Sequence, residues 1–159
     1  MKISARLTGY LAQRGARYEV CAHDHSQSSA QTARLAHIPQ HQLLKSVILE
    51  DDAGCVLAVV PADSRVQIGE LARLLGRRDL HLADERRIAQ VFEDCVVGAV
   101  PAFGMAWGVE TVVDETIGDS PEVYVEAGDH EALLRMSREQ FNALMAEAKH
   151  GHFCRPPVH

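Results

Sequence analysis

Apolar side chains recur along this chain at two different periods, and the switches between them predict most of its elements. Ile3, Leu7, Tyr10 and Leu11 share one face of a ~3.6-residue repeat, which predicts an opening helix that Gly15 stops. Residues 17–22 read as a short strand. Ser28 or Ser29 is placed to cap a second helix through Ala36, and His37, Ile38 and Pro39 end it. Leu43–Asp51 predicts a strand around the β-branched, apolar Val47, Ile48 and Leu49. Asp51, Asp52, Ala53 and Gly54 make a turn, and residues 55–60 return as the hairpin partner. That return is continuously apolar, so it is expected to be buried on both faces. Ile68, Leu71, Leu74 and Leu75 go back to helical spacing, closed by Gly76. Residues 80–82 read as a brief strand, and Asp84 as the cap of a helix carrying Ile88, Val91 and Phe92. Strands are predicted at 109–114, 122–127 and 132–136. Ser137 with Gln140 forms a capping box for a last helix presenting Phe141, Leu144, Met145 and Ala148. Residues 1–150 thus make one domain, and residues 151–159 are expected to trail off as a C-terminal tail.

Strands come in hairpins with helices between and around them, without regular βαβ alternation. The expected fold is α/β of the α+β type: a single domain with a mixed, largely antiparallel sheet or partly closed barrel flanked by helices. A doubly wound nucleotide fold is not expected, because no GxGxxG or Walker sequence occurs. The length of 159 residues supports a sizeable core, and 47% apolar with 24% charged residues is an ordinary globular balance. No apolar run approaches the ~20 residues of a membrane helix. The first residues lack a signal-peptide stretch, so a cytoplasmic protein with no membrane partner is expected. Cys21, Cys55, Cys95 and Cys154 are scattered, which argues for reduced thiols over a disulfide framework or zinc ribbon. The formal net charge of −6 excludes a protein that coats nucleic-acid backbone, and no DNA partner is expected. A short stretch of RNA could still meet a local patch from Arg73, Arg77, Arg78, Arg86 and Arg87. The same arginines also read as solvated helix faces.

Three places resist a purely structural reading. Lys45 sits inside an apolar strand, on the face of Leu43, Val47 and Leu49, where an ammonium is rare unless it is paired, functional or snorkelling at a strand end. Gly98-Ala99-Val100-Pro101-Ala102-Phe103-Gly104 combines glycines and a proline in a way that holds backbone close to a partner and can aim N–H groups at a carbonyl; it also reads as a plain turn. Ala127-Gly128-Asp129-His130 brings a proton-carrying side chain to a loop. His23 with His25, and His150 and His152 with Cys154, lack metal-ligand spacing, so neither a metal nor another cofactor is expected. A serine triad has no GxSxG, and Cys95 has no activating neighbour in sequence.

In order and spacing these features resemble the YbaK-type, prolyl-tRNA-synthetase-associated editing domain family over nearly the whole chain. The likeness runs from the first helix, the Tyr18 strand and the His25 region through His37-Ile38-Pro39 to Lys45 and Ser46-Val47-Ile48-Leu49. It continues in Ala58-Val59-Val60-Pro61-Ala62, residues 66–75, the glycine/proline loop at 98–104 and the Gly-x-His turn at Gly128 and His130. The resemblance implies a freestanding hydrolase that strips a small amino acid from mischarged tRNA, with tRNA-Pro as the candidate carrier. Lys45 would hold the 3′ nucleotide or the aminoacyl group, and the loop residues Gly98, Ala99, Val100, Pro101, Phe103 and Gly104, together with Gly128, would bind substrate. His130 would line the pocket, with water attacking through substrate assistance. Met105, Ala106 and Trp107 are candidates for shaping it. A synthetase is a candidate partner. The alternative is a non-catalytic module of the same fold that binds aminoacyl-tRNA or a synthetase.

Overall fold

Short polar side chains start most of the helices. In the computed structural model, which describes residues 3–156, Ser4 caps α1 (Ala5–Gln13) and Ser28 caps α2 (Ser29–Leu35), each accepting the N–H three residues ahead. α3 (Ile68–Leu75) has no side-chain cap and stops at Gly76, whose φ of 64° suits glycine. Asp84 caps α4 (Glu85–Val91), and Ser137 caps α5 (Arg138–Leu144). The expected capping box forms only by half. Gln140 gives its N–H to Ser137, but its side-chain oxygen accepts instead from the N–H of Arg17, tying α5 to the chain before the first strand.

The strands are β1 (Glu19–Ala22), β2 (Leu43–Asp51), β3 (Gly54–Pro61), β4 (Arg65–Val66), β5 (His81–Leu82), β6 (Glu110–Asp114), β7 (Glu122–Glu126), β8 (Ala132–Ser137), β9 (Lys149–Gly151) and β10 (Cys154–Arg155). Eight of them form one mixed sheet in the order β1-β8-β7-β2-β3-β6-β9, with β5 also on β2. Hairpin neighbours run antiparallel, whereas β7 with β2, β3 with β6 and β6 with β9 run parallel. Those parallel pairs need long crossovers, and α3 and α4 lie in the one between β3 and β6.

Alternation along each strand sorts the core. One face carries the main cluster, where Leu44, Leu57, Val125 and Leu134 meet Leu7 and Leu11 of α1, Phe92 after α4 and Phe141 of α5. The other face carries two smaller clusters. Leu49, Val60, Leu71 and Phe153 pack beneath α3, and Ala33, Leu43, Tyr124 and Leu133 pack beneath α2. β3 feeds both faces, and Val56 through Val60 are fully buried as their unbroken apolar run predicts.

The C-terminal segment does not trail off as far as residue 155. β9 extends the sheet and β10 pairs with β4, while Phe153 is fully buried. Asp114 organises this region, with one carboxylate oxygen accepting the N–H groups of Phe153 and Cys154 and the other the N–H and the hydroxyl of Thr116. Pro157, Val158 and His159 of the expected tail lie outside the described residues. Among the described residues, no helix is long and apolar enough to cross a membrane.

Candidate functional site

β2 and β7 are joined through only two residue pairs, Leu43 with Tyr124 and Leu44 with Val125. One step further, β2 carries Lys45 and β7 carries Glu126, both on the face away from the main core by strand alternation. Beyond that step the strands part, and β2 next pairs with β5 at Leu49. Lys45 therefore lies between the two smaller clusters, with Leu43 of one beside it and Val60 of the other paired across from it. It is half-buried, and among the described residues its ammonium makes no ion pair. Burial holds its pKa below the usual lysine range against the opposing pull of Asp63, and Arg65 adds to the lowering.

The turn from β7 to β8 brings the histidine to the same fork. Gly128 has a φ of 110°, and its carbonyl accepts the N–H of Val96, which ties this turn to the loop that follows α4. His130 is 2% exposed and sits in the left-handed region with a φ of 60°. Asp129 supports that conformation by accepting the N–H groups of Glu131 and Ala132 on one oxygen, and Ser26 N–H donates to the His130 carbonyl. The imidazole faces two ways. Nδ1 lies 3.4 Å from Ser26 Oγ and 3.7 Å from Glu126 Oε1, while Nε2 is 3.1 Å from where a Cβ on Gly98 would stand. Burial lowers the His130 pKa, and the nearby His25 and His23 lower it further.

The glycine/proline loop divides. Gly98, with a φ of 93°, is exposed and lies against His130. The Ala99 N–H goes to Val96, which leaves the amides of Gly98 and Val100 without an acceptor among the described residues. Phe103 turns the other way and is fully buried between Tyr10 and Phe141, with ring centroids 6.4 and 6.0 Å away. Gly104 is a packing position, where a Cβ would meet Thr111 Oγ1 at 2.5 Å. Trp107 packs edge-on against Phe92 and donates to Asp94, and Met105 packs against the main core, so neither reaches the fork. Gly98 and His130 are in contact, and Lys45 stands on β2 one step beyond its last pair with β7, nearest in charge to Asp63 and Arg65; Phe103, Gly104, Met105 and Trp107 belong to the opposite side of the sheet. Pro101 is buried in the same stretch.

The arginines read as an RNA patch are partly committed elsewhere. Arg77 clamps the β2–β3 turn through Asp51 and the Gly54 carbonyl and also holds Glu110, while Arg87 holds Glu50. Arg73, Arg78 and Arg86 remain exposed. Burial and Asp94 push the Cys95 thiol up to about 12, so it is protonated and a poor nucleophile near neutrality. No group of three metal-ligating side chains occurs among the described residues. Two surface hollows of about 430 and 410 Å³ lie elsewhere, one beside Met105 and Lys149 and the other beside Tyr18 and Arg135. Neither gathers buried polar groups as the fork does.

Sequence reasoning missed Glu126 and Ser26. Glu126 alternates with Glu122 and Tyr124 and so reads as a polar strand end, yet it is 2% exposed and α2 covers it. Its one sequence signal is proximity to Gly128-Asp129-His130. Burial above all, and then the charge of Asp129, push its carboxyl up to about 8.

A mixed sheet with helices on both faces, and a glycine loop set against a buried histidine beside the point where two of its strands part, define a single-domain α/β protein with a candidate polar site. The Aminoacyl-tRNA editing domain model matches residues 23–144, and the chain belongs to that family. Solved structures agree on the fold. A protein described as a candidate trans-editing enzyme for prolyl-tRNA synthetase superposes with a TM-score of 0.82 at 24% identity, covering 94% of this chain and 95% of that one. A scaffold protein used for epitope grafting gives 0.81 at 25% identity, covering 96% of each chain. A protein from Marinobacter aquaeolei VT8 assigned to signal transduction gives 0.74 at 26% identity over 96% of this chain but 31% of that one, so there the fold is one part of a longer chain. No protein of curated function matches the sequence.

Proposed function

We propose that this chain is a trans-acting deacylase that hydrolyses the ester linking a small amino acid to the 3′ adenosine of a mischarged tRNA, with tRNA-Pro as the favoured carrier. The observation that supports the reading is the contact of Gly98 with a buried His130 on the turn after β7, with Lys45 on the neighbouring strand β2, in a member of an aminoacyl-tRNA editing family. Lys45 holds the terminal nucleotide or the aminoacyl group by charge. The unengaged amides of Gly98 and Val100 are available to a carbonyl whose oxygen gains charge as water attacks, and His130 lines the pocket. A pre-aimed donor of that kind is worth about 3–4 kcal/mol in related chemistry. Water attacks, with a ribose hydroxyl of the substrate assisting it. Only the end of the acceptor arm docks, which reconciles RNA binding with a net charge of −6. The reaction places the protein in the cytoplasm, with a synthetase as candidate partner.

Incubation with a panel of mischarged tRNAs, following release of labelled amino acid, tests this. Release is expected from at least one small-residue substrate, and Lys45→Ala should lower kcat/KM by about 100-fold or more. Equal rates for parent and variant would remove the assigned role. Tight binding without turnover across the panel would point instead to a non-catalytic module.

A further inference from the structure

Glu126 is not accounted for by packing or by the reading above. Both of its carboxylate oxygens are buried, and among the described residues neither takes part in a hydrogen bond. The Thr32 hydroxyl beside it eases the carboxyl's ionisation weakly, while sharing a bond with Ser26 Oγ at 2.5 Å. A carboxyl so poorly paired at this depth costs stability even when neutral, so an ordinary core would place an apolar residue there. It also faces Nδ1 of His130 at 3.7 Å, just outside hydrogen-bonding range, where Ser26 Oγ lies 3.4 Å from the same nitrogen.

We propose that Glu126 is the positioning residue of this site: through Nδ1 it decides which nitrogen of His130 carries the proton, and so whether Nε2 donates to, or accepts from, a group bound against the Gly98 loop. The two states differ by one proton. With Glu126 protonated, its O–H donates to bare Nδ1, and Nε2 carries the ring hydrogen as a donor. When the pair loses a proton, the carboxyl hydrogen passes to Nδ1, the Nε2 hydrogen leaves to water, and Nε2 becomes an acceptor. The imidazole is neutral throughout, in keeping with its burial and lowered pKa. With the carboxyl pushed up to about 8, the exchange falls just above neutrality.

The groups around the pair favour this arrangement. Asp129, from the β7–β8 turn, discourages ionisation of Glu126. His25 and His23, from the loop after β1, discourage a second proton on His130. α2 contributes the neutral Thr32, and the Gly98 loop contributes backbone. Lys45 stands on the neighbouring strand, and Glu122 on β7 itself is paired with Arg135 at 3.8 Å. The catalytic consequence rests on the deacylase reading; the proton exchange does not.

The test follows the ring nitrogens of His130 by ¹⁵N NMR on the intact protein from pH 6 to 10, alongside the ¹³C signal of the Glu126 carboxyl. The expected result is a change of tautomer at His130 whose midpoint coincides with the Glu126 titration. In Glu126→Gln the tautomer should stay fixed across the whole range, and any limb with that midpoint in the deacylation rate should vanish. A His130 tautomer that is constant in the parent, or that changes alike in Glu126→Gln, overturns the proposal. If the variant fails to fold, the coincidence of the two midpoints in the parent still decides. Absence of amino acid release from every tRNA tested would count against the deacylase and leave the NMR result standing.

Discussion

Gly98 is the residue at which backbone conformation and chemistry are hardest to separate, and a matched pair of substitutions separates them. Its φ is 93°, and an added Cβ would press on His130 Nε2 at 3.1 Å. Gly76 also has a positive φ, 64°, but a Cβ there meets nothing within 4 Å. Alanine at either position should cost about 1–2 kcal/mol for the strained backbone, read as a shift of the urea midpoint. Only Gly98→Ala should also lower kcat/KM, by about tenfold or more, since it alone displaces the imidazole. At this scale the sequence was informative where chemistry and pattern disagree. A cation inside an apolar strand singled out Lys45, and glycines flanking a proline singled out the Gly98 loop. It was uninformative where they agree. Glu126 continues the polar face of Glu122, and only the placement of α2 makes that position a buried one. Phe103 sat in the right motif, but which side of the sheet it faces depends on Tyr10 and Phe141, both far away in sequence.

At the scale of elements, local signals fixed what local forces hold. The caps at Ser28, Asp84 and Ser137, the Gly76 stop and the β2–β3 hairpin all appear where short-range pattern puts them, whereas the Ser4 cap of α1 was not read. β4, β9 and β10 were invisible because two or three residues carry no period, and because they exist through a distant carboxylate. Asp114 accepts the N–H groups of Phe153 and Cys154 at 2.7 and 2.9 Å across some 40 residues of chain. Replacing it with alanine would leave those donors buried and unmet. Asp114→Ala should destabilise the protein by about 3 kcal/mol or more, and amide exchange should rise first in residues 149–155. Those donors, with Thr116, outweigh burial and hold the Asp114 pKa below its usual value. Its contribution is therefore present above the unfolded value and is lost as acid protonates it in the fold.

For the whole molecule, the buried acid at the site predicts an unusual pH dependence of folding. Glu126 keeps its proton in the folded state up to about 8, whereas the unfolded chain releases it near the ordinary glutamate value of 4.5. Between these values the folded state binds the extra proton, so stability falls as pH rises, by at most about 1.4 kcal/mol per unit. His130 acts in the opposite sense, since its lowered pKa costs stability as pH drops below 6.5. The clean window is therefore pH 6.5 to 8. There, urea unfolding of the parent should weaken with rising pH, while Glu126→Gln should be nearly flat. A flat parent curve would mean the carboxyl is ionised in the fold already.

The two-pair seam between β2 and β7 has a consequence for how such a protein can change. The aperture at Lys45 exists because two strands diverge, so its width belongs to the frame and not to any side chain. Residues on the β7–β8 turn beside it can be exchanged without moving that frame. On the deacylase reading proposed above, selectivity can therefore drift by substitution around the fork, while the main hydrophobic cluster on the far side of the sheet stays untouched.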